Sequence, residues 1–307
     1  MIHGGGHVML SRKDVRPQQT SLLLDLGFIP VSIDYRLCPE TSLEEGPMRD
    51  VCEALHWART CLPSLALKRH DISISGEEVV AVGWSTGGHL ALSLGWTAPQ
   101  AGIRPPEAIL AFYCPLDYED SFWSRPNRPY NEEVTNDYDI WDGVRDAPIT
   151  AYNPPAVLGA SGGWMTKTDA RSRIALHMNW HGQTLPILIH GLKNRKKVTK
   201  VGSTSILKLP NPTLKEIQSV SPLAQVRKGN YRTPTFIVHP VQDDLIPWQQ
   251  AERTYDALVQ NGIPADLRLV RNARHLFDLH AQYNKNTEAR QAVYDGYSFL
   301  ASHIKHK

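Results

Sequence analysis

The stretch that decides the fold reads Val79-Val80-Ala81-Val82-Gly83-Trp84-Ser85-Thr86-Gly87-Gly88-His89-Leu90-Ala91-Leu92. Its opening run of small and β-branched apolar residues predicts a buried strand, and the apolar residues after Gly88 predict a helix. Between them stands Gly-x-Ser-x-Gly, which in this strand-turn-helix context is typical of a nucleophile elbow. Such a turn lifts the serine hydroxyl above the edge of the sheet. We therefore predict that Ser85 is a catalytic nucleophile.

Further short apolar runs alternate with helical patterns along the rest of the chain. The predicted strands cover residues 28–33, 79–82, 108–113, 235–238 and 267–270. The predicted helices cover residues 48–59, the segment after Ser85, and residues 248–260 and 287–303. Continuous hydrophobicity is typical of strands that are covered on both faces. The alternation predicts an α/β fold with a doubly wound, mainly parallel sheet.

Residues 118–219 interrupt this alternation. They contain eight prolines and four of the eight tryptophans, at positions 123, 141, 164 and 180. Because a loop of this length without structure of its own is uncommon in a compact domain, we predict an inserted helical lid at 118–219, called the inserted segment below. The α/β core would then consist of residues 1–117 and 220–307. The aromatic residues of the inserted segment either line an acyl pocket or form its own small core.

A second Gly-x-Ser-x-Gly motif, Gly159-Ala160-Ser161-Gly162-Gly163, lies within the inserted segment. It follows Asn153-Pro154-Pro155 and has only three apolar residues before it, so it lacks the strand that a nucleophile elbow requires. We predict that Ser161 is a turn serine.

A serine nucleophile needs backbone donors for the negative charge that develops on the substrate oxygen. His3-Gly4-Gly5-Gly6 follows the short apolar pair Met1-Ile2 and matches the HGGG turn that supplies such donors. We predict that the amides of Gly5, Gly6 and Thr86 form an oxyanion hole.

The serine also needs an acid and a base, which follow it in the chain order Ser, Asp, His in this type of enzyme. The turn at residues 239–247 follows a predicted strand and contains Asp243 and Asp244. We predict that Asp243 is the acid, with Asp244 as the alternative. One of the two is then a helix-capping or solvated aspartate.

The base is expected in the loop after the last predicted strand, and the loop at residues 272–277 contains His275. We predict that His275 is the base because its place in the chain order and its position at a strand end both fit that role. His280 is instead interpreted as a surface residue.

Composition and charge exclude several classes of partner. The 307 residues include 33 Lys and Arg against 31 Asp and Glu, so the formal net charge is +2. This balance indicates neither nucleic acid nor an anionic membrane as a partner. No apolar stretch approaches the roughly 20 residues that a membrane-spanning helix needs. The four cysteines, Cys38, Cys52, Cys61 and Cys114, lack CxxC spacing and indicate reduced thiols in a cytoplasmic protein.

Three motifs together resemble the α/β-hydrolases of the hormone-sensitive-lipase type. They are His3-Gly4-Gly5-Gly6, Asp34-Tyr35-Arg36 within Val31 to Glu40, and Gly83-Trp84-Ser85-Thr86-Gly87-Gly88. The resemblance implies an α/β-hydrolase fold, a Ser-Asp-His triad, and a structural rather than catalytic role for Asp34-Tyr35-Arg36. It implies no metal and no organic cofactor.

More narrowly, the chain resembles the C-terminal thioesterase domains of fungal non-reducing polyketide synthases that carry a methyltransferase domain. The similar segments are residues 3–40, 193–197 and 219–224. Members of this family have roughly a hundred residues before the HGGG turn, including the first strands of the sheet. We therefore expect the N-terminal strands to be missing here, so that the chain is either a shortened homologue or a partial gene product.

The resemblance implies a serine hydrolase that releases an aromatic or methylated polyketide from an acyl thioester. The alternatives are a carboxylesterase or acyltransferase acting on small acyl esters, and a non-catalytic scaffold that binds an acyl ligand. A basic run, Lys193, Arg195, Lys196, Lys197 and Lys200, is either a docking site for an acyl carrier protein or a solvated face.

Overall fold

The computed structural model describes residues 1–127, 143–153, 169–192, 209–279 and 283–304. Its centre is a sheet of four parallel strands that lie side by side in chain order. The strands are β1 (Ala81–Trp84), β2 (Ile109–Phe112), β3 (Thr235–Pro240) and β4 (Ala265–Val270). Gly83, Ala111, Ile237 and Leu267 lie in one row across the sheet, so the four strands end at a common edge. Ile2 continues the sheet beside Gly83 through an isolated parallel bridge.

The described residues form ten α-helices. They are α1 (Pro17–Asp25), α2 (Arg49–Thr60), α3 (Leu62–His70), α4 (Thr86–Gln100), α5 (Ala170–Trp180), α6 (Thr184–His190), α7 (Leu214–Val220), α8 (Pro222–Arg227), α9 (Gln249–Gln260) and α10 (Thr287–Ser302). Within these residues, no helix has the length and apolarity needed to cross a membrane.

Helices cover both faces of the sheet because alternate strand residues point to opposite sides. Val82, Leu110 and Phe236 share one buried cluster with residues of α1 and α10. Ile109 and Ile237 share the other cluster with residues of α2, α4, α8 and α9. The predicted α/β fold with a doubly wound parallel sheet is therefore confirmed.

Four of the five predicted strands and all four predicted helices are present, with boundaries shifted by a few residues. The prediction of a strand at residues 28–33 is wrong, because only Ile33 makes a parallel bridge there, to Ile2. The run is not covered on both faces, since Ile29 is half exposed. Pro30 also lacks the amide hydrogen that a ladder needs.

The described part of the inserted segment contains α5 and α6 and nearly all of α7. Trp123 and Trp180 are buried, whereas positions 141 and 164 lie outside the described residues. The division of the chain into a core and a lid stays a prediction.

All four cysteines carry free thiols, of which only Cys61 is exposed.

Glycines allow β1, α4 and the segment after Ile2 to approach one another very closely. A Cβ atom at Gly83 would overlap the backbone of Gly87. A Cβ atom at Gly87 would in turn overlap the carbonyl oxygens of Ile2 and His3. Since these obstacles are backbone atoms of buried elements, no side-chain rotation relieves them. The strand, the helix and the N-terminal segment are therefore packed backbone against backbone, with no space for a side chain at these glycines.

Buried histidines form a second feature of the core. His7 Nε2 and the Tyr118 hydroxyl share a hydrogen bond of 3.3 Å, and His89 Nε2 donates to the Val220 carbonyl at 2.8 Å. The His7 and His89 rings meet edge to face, with centroids 5.2 Å apart. Burial lowers the pKa of His89 to about 4, and burial together with the neighbouring His89 holds the pKa of His7 well below its ordinary value. These rings are therefore neutral at pH 7 in the folded protein.

Replacing Gly87 by alanine should destabilise the fold strongly. We expect Gly87→Ala to lower the free energy of unfolding by about 2–3 kcal/mol, because the new methyl group has no space. Gly262→Ala is the matched control, because that glycine has positive φ but nothing within 4 Å of a Cβ atom. It should cost only about 1 kcal/mol of backbone strain. Equal losses in urea unfolding of the two variants would contradict the close-packing argument.

Stability should fall as the pH is lowered from 7 to 5. A histidine with a pKa near 6.5 when unfolded and about 4 when folded binds its proton more tightly in the unfolded chain, so acid favours unfolding. For His89 this difference amounts to about 2 kcal/mol between pH 7 and pH 5. Urea unfolding at the two pH values should show the fall, and His89→Gln should make it smaller by that amount. An unchanged pH dependence in His89→Gln would rule out this role for His89.

Candidate active site

Ser85 lies on a sharp turn between β1 and α4. Its backbone has φ 53° and ψ −129°, a strained combination for a residue with a side chain. The amide of Ser85 donates to the Phe112 carbonyl at 2.9 Å, and its carbonyl accepts from Gly88 at 2.8 Å. These bonds attach the turn to β2 and to the first turn of α4. They hold the strained conformation, and the side chain is only 6% exposed.

Three predicted site residues form one hydrogen-bonded chain. Ser85 Oγ lies 3.0 Å from His275 Nε2, and His275 Nδ1 lies 2.8 Å from Asp243 Oδ2. Because a carboxylate only accepts hydrogen bonds, Nδ1 carries the proton on that side of the ring. Nε2 is then free to accept the serine proton. This is the geometry of a nucleophile, a base and an orienting acid.

The carboxylate of Asp243 is buried and fully engaged. Its Oδ1 accepts from the amides of Leu245 and Ile246, both at 2.9 Å, and its Oδ2 also lies 3.3 Å from His239 Nε2. Burial alone would raise the pKa of Asp243, but His275 and His239 outweigh burial and hold this pKa below its ordinary range. The neighbouring Asp244, the predicted alternative, is exposed. The geometry therefore favours Asp243.

A polar network that the sequence did not reveal lies beneath His275. The Tyr113 ring packs edge-on against the imidazole, with centroids 4.8 Å apart, and the Tyr113 hydroxyl donates to Asp278 Oδ1. Asp278 Oδ2 accepts from Gln19 Nε2 at 2.7 Å and pairs with Arg16 Nε at 3.3 Å. The Asp278 side chain is fully buried, so this network ties the loop of His275 to β2 and α1.

The same network reaches the nucleophile turn through Trp84. Trp84 Nε1 donates to Gln19 Oε1 at 3.0 Å, and the Arg16 guanidinium lies 4.8 Å from the centre of the Trp84 ring. Since Trp84 directly precedes Ser85, one set of buried side chains braces both loops. No motif marks Arg16 or Gln19. The one sequence signal that could have indicated this network is the position of Asp278, three residues after His275.

The predicted oxyanion turn lies beside Ser85. A Cβ atom at Gly4 would lie 3.1 Å from Ser85 Cβ, so the two segments are in contact. Within the described residues, the amides of Gly5, Gly6 and Thr86 donate to no partner. Thr86 also begins α4, where the helix dipole favours negative charge. The arrangement therefore leaves three donors at the positions that the sequence predicts for an oxyanion hole.

Tyr35 holds the oxyanion turn from below. Its hydroxyl lies 2.9 Å from the His3 carbonyl and 3.0 Å from the Gly4 carbonyl, and its ring stacks on His3 with centroids 4.2 Å apart. Arg36 instead pairs with Asp50 at 2.6 Å. Tyr35 therefore stabilises the start of the turn that contains Gly5 and Gly6.

Several predicted features are not described by the structure. Ser161, His280 and the basic run at 193–200 lie outside the described residues.

An apolar groove of about 350 Å³ opens beside Phe28, Trp57 and Val79, at the amino end of β1. None of Ser85, His275 and Asp243 lines it. In the described part of the chain, no three His, Cys, Asp or Glu side chains are grouped as a metal site.

Curated relatives match the whole length of the chain. Non-reducing polyketide synthase adrD of Penicillium rubens is 58% identical over 311 aligned residues that cover 100% of the chain. Non-reducing polyketide synthase ausA of Emericella nidulans is 55% identical, and 5-methylorsellinic acid synthase of Aspergillus terreus is 54% identical, each over 99% of the chain. The chain spans 12% of the length of each of these relatives.

Solved structures share the fold at low sequence identity. An α/β hydrolase superfamily protein from Enterococcus faecalis has a TM-score of 0.59 at 17% identity, covering 98% of this chain and 88% of that one. A thermostable esterase from Pseudomonas putida has a TM-score of 0.54 at 16% identity, covering 100% of this chain and 74% of that one.

Family models agree with this likeness. Residues 198–307 match the model of the prolyl oligopeptidase family. Residues 1–154, half of the chain, match the model described as alpha/beta hydrolase fold. The chain therefore belongs to the α/β-hydrolase fold family and is a hydrolase.

Proposed function

We propose that this chain is a thioesterase that hydrolyses an aromatic polyketide acyl thioester, with Ser85 as nucleophile, His275 as base and Asp243 as orienting acid. The observation that carries the proposal is the unbroken hydrogen-bonded chain from Ser85 Oγ through His275 to Asp243. The choice of substrate is supported by the polyketide synthases to which the chain is 54–58% identical. One of them is named for a free acid, which is the product that hydrolysis of an acyl thioester gives.

Acylation begins when Ser85 Oγ attacks the thioester carbonyl carbon while His275 Nε2 takes the hydroxyl proton. Asp243 keeps the proton on Nδ1 and stabilises the imidazolium that forms. The low pKa of Asp243 supports this role because the carboxylate stays charged through mildly acidic pH. Collapse of the tetrahedral intermediate breaks the carbon–sulfur bond, and the proton on His275 Nε2 passes to the leaving thiolate. An acyl ester on Ser85 remains.

Deacylation repeats these steps with water as the nucleophile. His275 Nε2 removes a proton from water as the oxygen attacks the ester carbonyl. The bond between the acyl carbon and Ser85 Oγ then breaks, His275 returns the proton to Ser85 Oγ, and the free acid leaves. In both steps the negative charge on the carbonyl oxygen would be held by the amides of Gly5, Gly6 and Thr86. Their lack of other partners within the described residues supports this assignment. Each such donor is typically worth about 10²–10³-fold in rate.

The acyl chain would be delivered as a thioester on an acyl carrier protein. The basic run at residues 193–200 is our candidate for contact with that acidic partner or with the phosphate of its prosthetic arm. This contact stays a prediction because the run lies outside the described residues.

Replacing Ser85 by alanine should abolish turnover without unfolding the protein. We expect kcat/KM for an aryl thioester to fall by at least about 10³-fold, because the substitution removes the attacking oxygen. A fluorophosphonate should label the wild-type chain at Ser85, as mapped by mass spectrometry, and should not label Ser85→Ala.

Ser161→Ala is the matched control, since it alters the second Gly-x-Ser-x-Gly motif. It should keep full turnover and full labelling. Labelling at Ser161, or turnover that survives in Ser85→Ala, would refute the assignment of the nucleophile. Failure of a folded wild-type chain to be labelled would favour a non-catalytic scaffold.

Thioesters should be preferred to short esters. We expect kcat/KM for an aromatic acyl thioester of N-acetylcysteamine to exceed that for p-nitrophenyl acetate by about tenfold or more, once both are divided by their uncatalysed hydrolysis rates. The physical reason is that binding of the aromatic acyl group contributes to transition-state stabilisation. The opposite order would indicate a carboxylesterase. Formation of an ester when an alcohol is added would indicate an acyltransferase.

A further inference from the structure

Arg171 is a cation buried at the junction between the inserted segment and the core. It stands on α5, and its side chain is 0% exposed. Its Nε donates to the Val8 carbonyl at 2.7 Å, and its Nη2 donates to the Cys38 carbonyl at 2.7 Å. Its Nη1 donates to the Gly143 carbonyl at 3.0 Å and pairs with Glu40 Oε1. One guanidinium thus binds three backbone carbonyls and a carboxylate.

Val8 belongs to the turn that carries the predicted oxyanion donors. The amides of Val8 and Met9 both donate to the Gly5 carbonyl at 3.0 Å, which closes the turn from Gly5 to Met9. Gly5 has φ +100° and Gly6 has φ +65°, and neither residue has a side chain to stiffen the backbone. The orientation of the Gly5 and Gly6 amides therefore depends on the bonds that fix the rest of the turn. In its middle, the His7 amide donates to Thr86 Oγ1 at 3.2 Å, and the His7 carbonyl accepts from the Cys38 amide at 2.8 Å. Two further anchors hold its ends.

The anchors at the two ends of the turn come from different parts of the chain. Tyr35, from the core, binds the carbonyls of His3 and Gly4 at the start of the turn. Arg171, from the inserted segment, binds the carbonyl of Val8 near its end. The next turn of α5 also lies over this site, because a Cβ atom at Gly6 would be 3.9 Å from Ala175 Cβ.

Further bonds fix α5 in this position. Asp169 caps its first turn by accepting from the Ser172 amide at 2.8 Å, and it accepts from the Tyr152 hydroxyl at 2.6 Å. Tyr152 pairs with Leu10, just beyond the oxyanion turn, in an isolated antiparallel bridge. The amino end of α5 is therefore fastened to the same short piece of backbone on which Arg171 acts.

We infer that Arg171 is a positioning residue for the oxyanion hole, through which the inserted segment contributes to catalysis as well as to covering the site. Its guanidinium fixes the position of the Val8 carbonyl. Because the Val8 and Met9 amides bond to the Gly5 carbonyl, fixing Val8 also restricts the orientation of the Gly5 and Gly6 amides. Arginine suits this task because its planar donors have a fixed geometry, whereas a lysine ammonium is a single point charge. The inference rests on the proposed function, because the charge to be stabilised arises in that reaction.

Removing Arg171 alone leaves Glu40 as a buried charge without its cation, and this is destabilising in itself. The main test variant is therefore Arg171→Met/Glu40→Gln, in which both charges are removed. Glu40→Gln is the matched control, because it keeps the bond between Arg171 and the Val8 carbonyl. In each variant, kcat is expressed per Ser85 labelled by fluorophosphonate at completion, so unfolded molecules are not counted.

We expect the double variant to lose about 10–100-fold in kcat with KM unchanged within about twofold, since the amides act on the transition state. Its affinity for an aryl trifluoromethyl ketone, which forms a tetrahedral oxyanion on the serine, should fall in parallel. The pH dependence of kcat/KM should stay that of the wild type, because His275 is untouched. Glu40→Gln should keep kcat within about threefold of the wild type.

Arg171→Lys keeps a buried cation opposite Glu40, so this variant replaces the double variant in the test if the double variant does not fold. A single ammonium cannot bond to the Val8 and Cys38 carbonyls in parallel, and we expect about a three- to tenfold fall in kcat. If these variants keep full kcat and unchanged ketone affinity while Ser85 is labelled, the inference about Arg171 is overturned and the proposed function is not. Absence of Ser85 labelling in the wild type would instead overturn the proposed function, and the inference with it.

Discussion

The close approach of three backbone segments is the constraint on which the site depends. Gly83 and Gly87 let β1 and α4 meet around Ser85, and Gly87 also lies against the carbonyls of Ile2 and His3. Any side chain at these glycines would separate the segments. Because the HGGG turn continues directly from His3, the same packing brings the proposed oxyanion donors beside the turn of Ser85. The proposed nucleophile and donors are therefore positioned by one contact.

Buried polar side chains extend this arrangement to the base. Gln19 receives a bond from Trp84, next to the nucleophile, and gives one to Asp278, in the loop of His275. A neutral amide joins the two loops, while Arg16 compensates the charge of Asp278. Removing one member would leave its partners unsatisfied in the interior, so networks of this kind hold a single geometry. The loops of Ser85 and His275 are consequently joined by side chains that lie outside the proposed triad.

The chain order of the motifs predicted that Ser85, Asp243 and His275 would lie together, because parallel strands end at a common edge. Ser85, Asp243 and His275 each follow a strand, so their proximity is implied by the sheet itself. The strand predicted at residues 28–33 fails because hydrophobicity alone does not show which runs are covered on both faces. Arg171, Arg16 and Gln19 were missed for another reason. Each has a partner more than a hundred residues away in the sequence, and no local pattern encodes such contacts.

The near-complete burial of Ser85 and His275 has a consequence for what the enzyme makes. In the proposed mechanism, His275 would deprotonate water and alcohols by the same chemistry once the acyl group is on Ser85, so these residues would not choose between them. The choice would fall to whichever nucleophile can reach the covered carbonyl. Free acid, transferred ester and closed lactone would then be competing products of one intermediate. Divergence among related chains can proceed by remodelling the cover while the reacting residues stay the same.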